Sequence, residues 1–140
     1  MKQLILILFM LPLISFAQSA RDINIVIQKT LDLEVLKTHY NGDESAGLTP
    51  LIIINDEKIP NNLIVFKFNK RVKVMTPEEI ETFKNIYKGS LDSFFVFEGM
   101  DFSEDEVKIK ATFRKDQKIT ITVHMKKVEK DWKILSSVAN

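Results

Sequence analysis

The chain has 140 residues, with 20 Lys and Arg against 19 Asp and Glu, two His, four Gly and no Cys. That is enough sequence for one domain with its own core, and its charge balance speaks against nucleic acid or an anionic membrane surface as partner. The absence of Cys excludes disulfides, a lipid-modified Cys and thiolate metal sites, and two His are too few for a His cluster.

In chain order, Lys2, the apolar run 4–16 and the small residues Ser15 and Ala17 read as a secretory signal peptide over residues 1–17. Cleavage is expected between Ala17 and Gln18. The run falls short of the ~20 apolar residues that span hydrocarbon, so no stable membrane anchor is expected after signal removal. The exported part, 18–140, then carries 19 basic and 19 acidic residues, and a periplasmic or secreted location is expected.

Ile23, Ile27, Leu31 and Val35 recur every fourth residue, extended by Leu36 and Tyr40, which predicts an amphipathic helix from Asp22 to Tyr40 ended by Asn41-Gly42. A short strand through Ile23, Ile25 and Ile27 is the rival, disfavoured because the spacing of four continues. Residues 41–50 have loop composition. Short strands are expected over 51–54, 63–68 and 72–75, the last two forming a tight hairpin around Asn69-Lys70-Arg71. Thr76-Pro77-Glu78-Glu79 carries the marks of a helix start: a hydroxyl cap, Pro at the first position and Glu three residues after the cap. Ile80, Phe83, Ile86 and Tyr87 form its apolar stripe, and the helix should run to Lys88 with Gly89 as the stop.

The C-terminal third predicts an antiparallel meander. An apolar strand over 94–97 precedes a strand in which Val107, Ile109, Ala111 and Phe113 face one way and Lys108, Lys110, Thr112 and Arg114 the other. Lys115-Asp116-Gln117 turns the chain into a strand with Ile119, Ile121, Val123 and Met125 on its apolar face. Glu129-Lys130-Asp131 turns it again into a last strand, in which Trp132 and Ile134 share a face and which ends near Ser137. The fold class is therefore α+β: a single domain, with an N-terminal helix and a second helix at 76–88 packed on a curved, mostly antiparallel sheet of five to seven strands.

The sequence assigns no catalytic, cofactor-binding or metal-ligating residue. His124 alternates with lysines on a polar face and His39 ends the first helix, so both read as ordinary polar residues. Asp101 to Glu106 alternates oxygen ligands like the start of a calcium loop, but lacks the Gly at its sixth position and has Thr112 where a bidentate Glu belongs. No nucleophile motif or Gly-rich phosphate loop occurs. Basic spots at 67–73, 108–118 and 126–133 read as solvated faces. The aromatics Phe94, Phe95, Phe97, Phe102, Phe113 and Trp132 read first as core, with a pocket for an apolar ligand as the alternative.

The final Asp131-Trp132-Lys133-Ile134-Leu135, in a curved antiparallel meander over 93–137, resembles the closing strand of the nuclear transport factor two-like and cystatin-like α+β folds. The order of signal peptide, helix, strand, Asn-turn hairpin and Trp-ending meander is also similar to small exported envelope proteins of unknown function from Gram-negative bacteria. The cone-shaped family usually has two or three helices before its sheet, whereas strands over 51–75 intervene in this chain. The resemblance implies the fold class and no activity. The function expected from the sequence is a non-enzymatic exported module that binds an unknown protein or a small apolar ligand. A small hydrolase or isomerase with carboxylates in a sheet pocket, and an inhibitor or immunity-type protein that blocks a partner, are the alternatives.

Overall fold

The computed structural model describes residues 19–140; the segment read as a signal peptide, with its cleavage point, lies outside the described residues. Helix α1 (Ala20–Leu31) begins two residues before the expected start, because Ser19 caps it by accepting a hydrogen bond from the Asp22 backbone N–H. Ile27 and Leu31 of the predicted stripe are fully buried, joined by Val26.

The helix does not continue to Tyr40. It stops at Asp32, and a 3-10 helix (Glu34–His39) follows. At about 100° per residue, Leu33 would lie roughly 200° around the helix from Leu31 and point to solvent. Breaking the helix between them lets Leu31, Leu33 and Leu36 all enter the core, where each is at most 2% exposed. Asn41-Gly42 is not a stop but a start. Asn41 caps a one-turn helix α2 (Gly42–Ser45), its side chain and backbone exchanging two hydrogen bonds with Glu44.

Six strands form the main sheet, in the order β4-β1-β5-β6-β7-β8: β1 (Ile52–Ile54), β4 (Lys73–Met75), β5 (Phe94–Phe102), β6 (Glu106–Phe113), β7 (Ile119–Val128) and β8 (Asp131–Ala139). From β5 to β8 it is the expected antiparallel meander, whereas β1 lies parallel to both β4 and β5. The fold is α+β, with a mostly antiparallel, curved and unclosed sheet. β5 runs past Phe97 because a bulge at Glu98 switches the alternation, returning Met100 opposite Ile109 and Phe102 opposite Val107 on the core face. Helix α3 (Pro77–Ile86) packs on the opposite face, where Ile80 meets Ile52 and Phe94 in a small second core. Thr76 caps α3 as predicted, by accepting from the Glu79 N–H. The helix ends at Ile86, short of Gly89, because Tyr87 takes an extended backbone and stacks on Phe83.

A hairpin forms, but with a different second strand from the one expected: β2 (Phe66–Lys67) and β3 (Lys70–Arg71) pair across Phe68-Asn69, both at positive φ, as a two-residue hairpin turn requires, while residues 73–75, expected as the second strand, lie parallel to β1 in the main sheet. Of the strand expected over 63–68 only Phe66 and Lys67 pair as strand, but the stretch is extended before them, with Leu63 and Val65 buried and Ile64 and Phe66 exposed. Their partners are unusual. The Asn24 side-chain amide bonds both N–H and C=O of Ile64, and the Gln28 amide does the same for Phe66. Four residues of helix rise about 6 Å and two of strand about 6.6 Å, so two amides one helical turn apart match alternate residues of an extended chain.

The aromatics singled out from the sequence are core: Phe95, Phe97, Phe113 and Trp132 are buried between the sheet and α1, and the Phe95 and Phe113 rings stack at 4.4 Å. Trp132 is 1% exposed, and its indole N–H donates to Asp22 at 3.0 Å. Trp132→Ala should therefore cost about 3–5 kcal/mol in urea denaturation; a loss below about 1 kcal/mol would place the indole outside the core.

Candidate functional site

Local rules place a buried ion pair at the root of the site. The capping contacts of α2 fix Glu44, which is 1% exposed. Arg114, at the end of β6, sits at φ 82°, which takes it out of the strand alternation, and its guanidinium reaches Glu44 at 2.9 and 3.3 Å. The same guanidinium donates to the His39 carbonyl and lies over the Phe113 ring. The Ser93 hydroxyl donates to the second Glu44 oxygen in a short contact. Asp92, 3.6 Å from Arg114, accepts from the backbone N–H groups of Lys115 and Asp116 and so fixes the turn after β6. Arg114 is thus a half-buried clamp and not the solvent-facing residue that the alternation predicts. Glu44 and Asp92 converge on it, yet each of their oxygens is already engaged, so the cluster is a brace without a free acid or base.

Above this brace lies a groove of about 550 Å³. One wall is the loop after α2, Gly47 to Leu51; the others are the β2-β3 hairpin, the start of β4, and Phe83 and Tyr87 of the α3 segment. Gly47 is favoured by its φ of +74°, which side-chain-bearing residues rarely adopt, and it lets the Lys70 side chain approach closely. Lys70 donates to the Gly47 carbonyl at 2.7 Å, tying hairpin to loop.

Four cations line the groove. Lys67 is neutralised by Asp32 at 2.9 Å and rests over the Tyr40 and Phe68 rings. Lys70, Arg71 and Lys73 have no carboxylate within ion-pair distance among the described residues, and the one carboxylate in the lining, Glu44, is committed to Arg114. Lys73 lies 5.5 Å from the centre of the Phe83 ring. Phe83 and Tyr87 stack at 5.4 Å, the Tyr87 hydroxyl reaches the Leu48 carbonyl, and the Leu48 side chain stands 71% exposed at the lip. An aromatic and aliphatic wall under unbalanced positive charge can take an anion that has an apolar body.

The basic spot 67–73, expected as a solvated face, is solvent-exposed at Lys70, Arg71 and Lys73, and the same cations stand at the rim of the groove. Alternation along one strand cannot reveal that an aromatic helix end and a glycine loop fold against it. In the other basic spots Lys110 faces Glu98, Lys126 faces Asp105 and Lys127 reaches Asp22, while Lys108, Lys115, Lys118, Lys130 and Lys133 have no carboxylate within ion-pair distance among the described residues. His124 pairs with Glu106 at 3.1 Å on the sheet's outer face, and neither His lines the groove. The acidic run 101–106 does not gather its oxygens, since Asp105 turns to Lys126 and Glu106 to His124. Among the described residues no helix is long and apolar enough to cross a membrane.

Tyr40 joins the brace to the core. Its hydroxyl donates to the Leu31 carbonyl at 2.7 Å and its ring packs against Phe68 and Phe113. Burial, and then the negative charges of Asp32 and Glu44, push the phenol well above its ordinary range, so it stays neutral in the folded protein. An unfolded Tyr ionises near pH ~10, so the stability this residue contributes is complete below that pH and is lost as pH rises above it. Urea titrations between about pH 8 and pH 11 should show stability falling with pH, less steeply in Tyr40→Phe, which itself should lose about 1 kcal/mol at neutral pH. Arg114→Ala leaves Glu44 buried and unpaired and should cost about 3–5 kcal/mol, measured by the same denaturation.

No protein-family model, no curated protein and no solved structure matches this chain, so its function has to be argued from the groove itself.

Proposed function

We propose that the chain is an exported, non-enzymatic binding module whose groove takes a small amphipathic anion, one with an apolar body and a carboxylate or phosphate head. The observation that carries this reading is the set of Lys70, Arg71 and Lys73, free of carboxylate partners, around the Phe83 and Tyr87 wall. A cation on an exposed face is well solvated and needs no partner, but several like charges converging on one cleft raise its potential and concentrate anions there. The apolar wall adds affinity through area removed from water, at roughly 25 cal/mol per Å². Export is supported by Lys2, the apolar run 4–16 and the small residues at Ser15 and Ala17. A hydrolase or isomerase has less support, because the carboxylates that converge, Glu44 and Asp92, are spent on Arg114 and the turn after β6.

Decanoate, decanol and decylamine share one apolar chain and differ in head-group charge, which separates the two contributions in a calorimetric titration. Decanoate should bind one to one, with decanol at least about tenfold weaker, a difference of about 1.4 kcal/mol. Decylamine should not bind measurably. The double variant Arg71→Ala, Lys73→Ala should weaken decanoate to the level of decanol. Equal affinity for decanoate and decanol, or an unaffected double variant, would remove the anion from the reading.

A further inference from the structure

The cations of the groove border a second cavity as well. It has a volume of about 360 Å³ and shares Arg71, Val72 and Lys73 with the groove's lining. Val72 is buried, so the exposed cations on either side of it stand where the two cavities meet. The floor of the second cavity is apolar, with Leu63 buried, and the acid in its lining is Glu79.

Helix α3 runs past both cavities. Glu79 and Phe83 lie one turn apart on one face of it, about 6 Å along the axis. Glu79 lines the second cavity, whereas Phe83 and, just after the helix, Tyr87 line the groove. Across from them the Lys73 ammonium stands 5.5 Å from the centre of the Phe83 ring. Along α3 the walls therefore present a carboxylate, then two cations, then an aromatic and aliphatic surface. Glu79 is exposed, and the Thr76 hydroxyl ties its carboxylate to the helix start at 3.3 Å. No cation lies within ion-pair distance of it among the described residues, although Arg71 and Lys73 line the same cavity. Opposite charges that share a cavity without meeting leave both available to a ligand that carries both signs.

On the reading of the groove as an anion site, on which this step rests, we infer that the ligand is a zwitterionic amphiphile in the order apolar chain, phosphate, ammonium. The chain lies on Phe83 and Tyr87, the phosphate meets Arg71 and Lys73, and the ammonium enters the second cavity toward Glu79. A simple fatty carboxylate ends its molecule at the cations and leaves the second cavity to water. A phosphodiester stands within a molecule and carries a further group past them. Arg71 suits it, because a guanidinium can donate two parallel N–H bonds to two phosphate oxygens. The reverse order, with the ammonium next to the chain, sets that ammonium against Arg71 and Lys73. The Phe83 ring, which would otherwise attract it, already has the Lys73 ammonium beside it.

Decylphosphocholine and decyl sulfobetaine have the same apolar chain and no net charge, but opposite charge order; monodecyl phosphate lacks the ammonium. In calorimetric titrations below the concentrations at which they form micelles, decylphosphocholine should bind one to one and at least about tenfold more tightly than the sulfobetaine. Glu79→Gln keeps a side-chain oxygen for Thr76 and with it the helix cap. It should weaken decylphosphocholine at least about fivefold and leave the affinity for monodecyl phosphate undiminished. Equal affinity of the wild type for the two zwitterions overturns the inference, and so does a decylphosphocholine affinity that Glu79→Gln leaves unchanged. In either case monodecyl phosphate binding more tightly than decanol keeps the anion reading of the groove, whereas no such advantage removes both. The comparison of the two zwitterions needs no variant, so it decides the matter even where Glu79→Gln fails to fold.

Discussion

The Glu44–Arg114 pair is the constraint on which the arrangement of this domain turns. It joins residues 70 positions apart and, with Ser93, Asp92 and the His39 carbonyl, ties together the end of the 3-10 helix, the α2 turn, the entry to β5 and the exit from β6. A buried ion pair adds little net stability, because removing two charges from water offsets most of their attraction. Its consequence is specificity. With Glu44 wholly enclosed, an alternative packing that separates it from Arg114 leaves a charge in a dry site, so the loop from Asn41 to Leu51 has one favourable placement against the sheet.

That placement creates the groove. The α2 loop is held down at Glu44 and crosses the β2-β3 hairpin at Gly47, where Lys70 closes the contact. The carboxylate in the groove lining, Glu44, is consumed by the brace, and Asp32 is consumed by Lys67. The unbalanced charge of Lys70, Arg71 and Lys73 is thus a by-product of how the surrounding acids are used. A near-neutral protein acquires a positive cleft without a basic composition, which is why net charge alone is a poor guide to a small site.

Two devices hold the layers around it. On the core side, Asp22 receives the Trp132 indole and Lys127 at 3.0 Å each, fastening the start of α1 to the sheet beside β8. On the other side of α1, the amides of Asn24 and Gln28 stand in for a neighbouring strand and fix residues 63–68 in an extended form. Helix-to-strand pairing of this kind leaves that segment outside the main sheet while satisfying its backbone, and it sets the hairpin that carries the groove's cations at a defined distance from α1.

Alternation of period two determined the meander: once Val107 to Phe113 and Ile119 to Met125 each need one buried face, register and facing follow from the strands themselves. The Thr76 cap, the first helix stripe and the α+β class were legible for the same reason, since each depends on neighbours within a turn or a strand. What the sequence could not fix was anything set by a partner far along the chain. Leu33 broke the first helix because the sheet offered it a buried site, Asn41 became a cap and not a stop because Glu44 was drawn inward by Arg114, and Arg114 left its strand's polar face for the same contact. The groove belongs wholly to this second class. Its cations were visible in 67–73, but the loss of their acidic partners and the aromatic wall beside them exist only once segments some 40 to 70 residues apart have been brought together, and pairwise contacts over such separations leave no periodic mark in a sequence.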